Sequence, residues 1–301
     1  MRTLYGAAIA AATILTSVAC SSPGRVAAWE KDGMAGGGTA TSTSAGAQMH
    51  DEALALFAQR DDKAKLEQAI AKWEQVVEKN PRHAEALTML SRANYFLADG
   101  YLALESGQTE VEMKTYEKGA DYGERALIVL EPEFEKAMRA EQKFEDAIGG
   151  IGKAGIPAAY WYAVNLGRFA SKQGLSARLY YKDKLAATMQ RILDLDEKFF
   201  YGAAHRYFGA FYSILPGIAG KDLDKSAMHF SKSLEFAPEY IGTKVVKAQF
   251  LAVELDDEDM YRALLQEVLA GEDTDNGDIA PENRAAKRTA KKMLDNADEI
   301  F

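Results

Sequence analysis

From Asp51 to the last residue, apolar side chains return every three or four positions. That is the period of a helix with one buried face. No stretch shows the convincing apolar-polar alternation of a strand, so the pattern predicts helix after helix. Four segments share a finer spacing: a small or apolar residue, a larger one four later, another apolar or small one three later, then a helix stop five later. They are Ala69, Trp73, Val76 and Pro81; Ala120, Glu124, Leu127 and Pro132; Leu185, Met189, Ile192 and Glu197; Ser226, Phe230, Ser233 and Pro238.

This spacing resembles the second helix of a tetratricopeptide repeat, in which small residues let paired helices approach and a proline ends the unit. Ala53, Leu56 and Phe57, and later Tyr207, Gly209 and Tyr212, stand where first helices would pack. The stops are unevenly spaced, and Pro216-Gly217-Ile218-Ala219-Gly220 lengthens one connection. The expected fold is therefore all-α: a divergent α-solenoid of tetratricopeptide-like helical repeats with inserted helices, over residues 49–301.

The pattern is different before Met49. Arg2 precedes an apolar, small-residue run from Leu4 to Val18, which ends at Ser17-Val18-Ala19-Cys20. The run is too short to span a bilayer as a mature helix and has the length of a signal-peptide core. A cysteine directly after it looks like a bacterial lipobox, although Ser17 stands where leucine is usual. Residues 1–20 are expected to be a lipoprotein signal peptide, with lipidation at Cys20. Residues 21–48, with the low-complexity run Gly36 to Ser44, have few apolar groups to offset ordering entropy and are expected to be a flexible tether.

Composition narrows the function. The chain has 301 residues, a net charge of −9 and no basic stripe, which argues against a nucleic-acid partner. Its one cysteine excludes an intrachain disulfide and a multi-cysteine zinc site. The four histidines, His50, His83, His205 and His229, form no zinc-protease spacing with a glutamate. Gly150-Ile151-Gly152-Lys153-Ala154-Gly155 matches a dinucleotide fingerprint but follows helical residues rather than a strand, so it reads as a loop. The acidic run from Glu272 to Asp278 has Thr274 where an EF-hand needs an oxygen-rich ligand pattern, and reads as a solvated loop. No nucleophile, base or metal set emerges, and neither an enzyme nor a cofactor is expected.

Aromatic clusters carry the best binding signal. Tyr160-Trp161-Tyr162 follows Pro157; Phe199-Phe200-Tyr201 and His205-Arg206-Tyr207-Phe208 flank another helix. One helix can turn only part of such a set into its own core. The polar Asn165 and Arg206 beside these rings suggest an apolar groove with fixed polar groups.

Three blocks are similar to the T-component of TRAP transporters: Ile156 to Ala163, Leu195 to Ala210 with Asp196-Glu197-Lys198-Phe199-Phe200-Tyr201-Gly202, and Leu215 to Ser226. Thr243-Lys244-Val245 and the stretches Asn283 to Lys287 and Asp298 to Phe301 fit as well. The resemblance implies a periplasmic lipoprotein, anchored to the cell envelope and more readily to the outer membrane than the inner. It implies tetratricopeptide-like repeats, docking to the transporter's periplasmic solute-binding protein, a homotrimer, and a pore or groove for a hydrophobic or organic-acid cargo. It implies no catalytic residues. Tyr160, Trp161, Asn165, Tyr201, Arg206, Tyr207 and Lys244 are the expected groove or signature residues, with Arg206 or Lys244 as counter-charge for a carboxylate. The rival reading is a lipoprotein scaffold that assembles envelope proteins by peptide recognition.

Overall fold

The computed structural model describes residues 25–31, 44–271 and 277–301. Cys20 lies outside them, as do residues 272–276 of the acidic run. Among the described residues there is no strand. Helices α1 (Ser44–Phe57) and α2 (Lys63–Lys79) form a first pair, and α3 (Ala84–Gly100) and α4 (Thr109–Leu130) a second. Two short helices, α5 (Pro132–Arg139) and α6 (Phe144–Ile148), precede the pair α7 (Ile156–Gln173) and α8 (Leu175–Leu195). α9 (Phe199–Ile214) packs on α10 (Leu223–Phe236). The chain ends with α11 (Gly242–Lys247), a π-helical turn at Ala248–Ala252, α12 (Glu258–Ala270) and α13 (Ala280–Asp295).

Local chemistry explains many of the boundaries. Asp62, Asp222 and Asp257 accept backbone N–H groups at the starts of α2, α10 and α12, satisfying donors that have no partner within the helix. Pro132, Pro157 and Pro281 sit in the first turns of α5, α7 and α13, where a missing N–H costs nothing. Gly174, at φ 100°, makes the turn from α7 to α8 in a conformation that L side chains rarely adopt.

The four spaced segments fall on α2, α4, α8 and α10, each the second helix of its pair. In every one the three side chains before the stop are buried. Small residues bring neighbouring pairs together. A Cβ on Gly123 of α4 would lie 2.7 Å from the Cα of Tyr162 on α7. Ser91 of α3 donates to the carbonyl of Gly119 on α4 at 2.7 Å, and Asn165 of α7 donates to Ser91 O at 3.0 Å. This polar node fastens three helices inside the apolar core.

The helix array closes on itself. α13 returns to α3 and the α1–α2 turn, where Glu282 takes up both Arg60 and Arg92, and Arg284 pairs with Asp61 at 2.7 Å. Lys292 donates to the carbonyls of Ala103 and Leu104, both at 3.1 Å.

One stretch differs from the sequence reading. Within the expected tether, Arg25–Lys31 is docked on the helices, with Trp29 only 4% exposed. α1 begins at Ser44, ahead of the expected start at Met49. A short irregular strap has no helical period, so a pattern search passes over it. Burial of one indole contributes roughly 1.5–3 kcal/mol towards ordering such a segment.

Candidate functional site

The left-handed turn that opens α9 positions the most distinctive group of the site. Phe200, Tyr201 and Gly202 have φ of 41°, 61° and 67°. Left-handed backbone at a bulky side chain costs about 1–3 kcal/mol per residue and persists when the surroundings hold it. Here Arg206, one turn further on, donates to Tyr201 O at 3.0 Å and to Phe200 O at 3.4 Å. The turn in turn places the Phe200 ring 5.0 Å from Trp161 and 5.5 Å from Tyr160.

These residues edge a partly open cavity lined by α3, α4, α7, α8, α9, the α11 region and α13. Its larger lobe measures about 600 Å³, within the ordinary range of small-molecule sites. Tyr95, Trp161, Phe200 and Tyr240 contribute rings, and Arg92, Asp99 and Glu282 contribute charge. A second, more apolar lobe of about 180 Å³ lies between α7, α8 and α9, walled by Val164, Leu179, Leu185, Tyr207 and Phe211. The lobes share Tyr160, Arg168, Arg178 and Arg206 as walls, so the two adjoin.

Charge bookkeeping separates the cations of this wall. Arg168 pairs with Asp99 at 2.8 Å, Lys172 with Glu112 at 2.8 Å, and Arg92 with Glu282 at 2.8 Å. Lys292 is taken up by carbonyls. Arg206 is different: its partners are two carbonyls, Thr243 Oγ1 at 3.4 Å and Tyr160 Oη at 3.5 Å, and its guanidinium lies over the Tyr240 ring. Burial opposes its charge, yet the neighbouring Tyr240 and Tyr160 hold the proton on and the net direction is upward. The Arg178 side chain has no hydrogen-bond or ion-pair partner among the described residues, and its Nε is buried. Two guanidinium groups thus face the junction of the lobes without a carboxylate partner among the described residues. Burial also pushes the phenols of Tyr95, Tyr207 and Tyr240 upward, so they stand as neutral donors.

Of the residues singled out from sequence, the structure brings Tyr160, Trp161, Arg206 and Tyr207 to the cavity wall. Three others have different places. Asn165 is fully buried in the node with Ser91. Tyr201 stacks on Tyr240 at 5.2 Å and serves Arg206 through its carbonyl. Lys244 is neutralised by Glu267 at 2.8 Å. Arg178 and Tyr240 were missed. Each stands outside the aromatic clusters, and no short-range spacing distinguishes them.

The glycine-rich segment Gly150 to Gly155 joins α6 to α7, and Gly152 N donates to Glu131 Oε1 at 3.0 Å. A Cβ on Gly155 would lie 2.6 Å from the same carboxylate oxygen. The loop is shaped around an anion of the protein itself. His205 is buried, bridging Glu197 at 2.9 Å and His229 at 2.8 Å. Among the described residues no group of three or more His, Cys, Asp or Glu side chains is placed to hold a metal.

Fold and cavity together define an all-α protein of packed helix pairs closed around a lined hollow. The family model of the TRAP transporter T-component matches residues 68–301, and the chain belongs to that family. Its role is accordingly that of an accessory component of a TRAP transporter. No curated protein matches the chain. Among the described residues no helix is long and apolar enough to cross a membrane.

Proposed function

We propose that this T-component holds an organic acid with an apolar body in its cavity and presents it to the solute-binding protein of the transporter. The observation that carries the reading is the pair Arg178 and Arg206 at the junction of the lobes, cations without a carboxylate partner among the described residues. A ligand carboxylate would complete them through charge-assisted hydrogen bonds. The apolar lobe beside Tyr207 and Phe211 would take the body of the ligand, and Tyr160 and Trp161 would cover it. In this reading the four helix pairs are divergent tetratricopeptide-like units, Cys20 carries the lipid anchor in the periplasm, and the protein assembles as a homotrimer.

The test compares straight-chain carboxylates with the matching alcohols by calorimetry. The carboxylates should bind, the alcohols much more weakly, and Arg178→Met should lower carboxylate affinity at least tenfold. Equal affinity for acid and alcohol would sink the anion assignment. Sedimentation with and without the cognate solute-binding protein tests docking and the trimer. A chain that sediments as a monomer and never shifts would overturn that part.

A further inference from the structure

The docked segment Arg25–Lys31 rests on a site with the parts of a receptor. The Arg25 guanidinium grips Glu124 with both nitrogens, at 2.6 and 2.7 Å, and Ala28 N donates to the same carboxylate at 2.9 Å. Trp29 enters a box of rings, with centroids 5.6 Å from Phe134, 5.9 Å from Phe144 and 6.3 Å from Tyr162. Arg139 donates to the Trp29 carbonyl at 3.2 Å. The box and the acid come from α4, α5, α6 and α7, and the segment lies across all four.

Glu124 is the telling residue. It occupies the position where the other three spaced segments carry Trp73, Met189 and Phe230. It is 1% exposed, and its hydrogen-bond partners among the described residues all belong to the segment. A buried carboxylate without a cation is strongly unfavourable. An apolar side chain would serve the helix pair better, so the acid answers to what lies on it rather than to the packing beneath.

We propose that this groove is a peptide-recognition site for a short segment carrying Arg and, four residues on, a Trp within a single 3-10 turn, and that Arg25–Lys31 is its ligand in cis. The guanidinium supplies the charge that Glu124 requires, the indole fills the ring box, and the backbone between them is fixed by Glu124 and Arg139. Residues 32–43 join the ligand to α1 covalently, which keeps its effective concentration high. Any outside peptide must displace it. The site is separate from the cavity, and its fate is independent of the organic-acid reading.

The experiment uses the full chain with a protease site inserted within residues 32–43, cut after folding. A fluorescent synthetic peptide of residues 24–31 is then titrated and followed by anisotropy. The cut protein should bind it saturably and the uncut protein at least tenfold more weakly. Arg25→Ala or Trp29→Ala in the peptide, which leaves the protein untouched, should each weaken binding at least tenfold, as should Glu124→Gln in the protein. Absence of saturable binding to the cut protein, equal binding to cut and uncut forms, or indifference to both peptide substitutions would overturn the proposal.

Discussion

The guanidinium carbon of Arg206 lies 4.4 Å from the centre of the Tyr240 ring, and no carboxylate of the described chain meets it. Its hydrogen bonds go to carbonyls of the left-handed turn at Phe200 and Tyr201. Arg206 therefore has two tasks, holding that turn and offering charge to the cavity. Arg206→Met should cost about 1–3 kcal/mol, because buried carbonyls lose their donor. Arg178→Met should change stability by no more than about 0.5 kcal/mol, since no partner is lost. Urea unfolding of the two variants measures the difference; equal losses would contradict the division of labour.

The close approach of α4 and α7 makes a second, sharper comparison. Gly123→Ala would drive a methyl group into the backbone of Tyr162 and should destabilise by about 1–3 kcal/mol. Gly167 is also helical, but a Cβ there meets Leu185 Cδ1 at an ordinary 3.6 Å. Gly167→Ala should be neutral or stabilise by up to about 1 kcal/mol through helix propensity. Denaturation midpoints of the two variants should move in different directions or by clearly unequal amounts.

Glu282 links the end of the chain to its beginning. Its carboxylate serves Arg60, which is 2% exposed, and Arg92 on the cavity wall. Glu282→Ala takes the carboxylate from both cations, leaving Arg60 only the carbonyls of Phe57 and Asp278, and should cost about 3–5 kcal/mol. Hydrogen exchange should quicken first in the N-terminal turns of α13, whose hold on α3 and the α1–α2 turn rests on this contact and the Arg284–Asp61 pair. Uniform exchange across all helices would argue against a local closure.

Acid should weaken the α9–α10 pair through His229. Burial first, then the neighbouring His205, Lys232 and Lys225, push its pKa down to about 4 from 6.5. Its neutral form is the one the fold favours. The unfolded chain binds more protons between those values, so stability is full above about pH 6.5 and is lost as pH falls towards 4. His50 is lowered as well and adds in the same direction. His229→Gln should flatten the fall of melting temperature between pH 6.5 and 5. An unchanged slope would remove His229 from the account.

Some of this was open to a reader of residues. Ala69, Trp73 and Val76, and their counterparts on three other helices, declare a buried face by spacing alone, and that face is where the structure buries them. Tyr160, Trp161, Arg206 and Tyr207 stand out as rings and charge in excess of what one helix can bury. Asn165 and Lys244 look alike in sequence as polar residues near signature positions. Their partners, Ser91 and Glu267, are 74 and 23 residues away in sequence, and no local signal links them. Arg178 and Tyr240 carry no motif at all, and the Arg25–Lys31 strap carries no period.

The all-α class, the buried faces of α2, α4, α8 and α10 and family membership were legible in the amino-acid sequence alone, because backbone propensity, apolar spacing and local motifs act over a few turns of chain. Which rings face a hollow, which cations lack an anion and where the strap lies were decided only by the tertiary structure. Those outcomes depend on how successive pairs stack and on α13 returning to α3. Burial and charge pairing are properties of groups brought together across the whole chain.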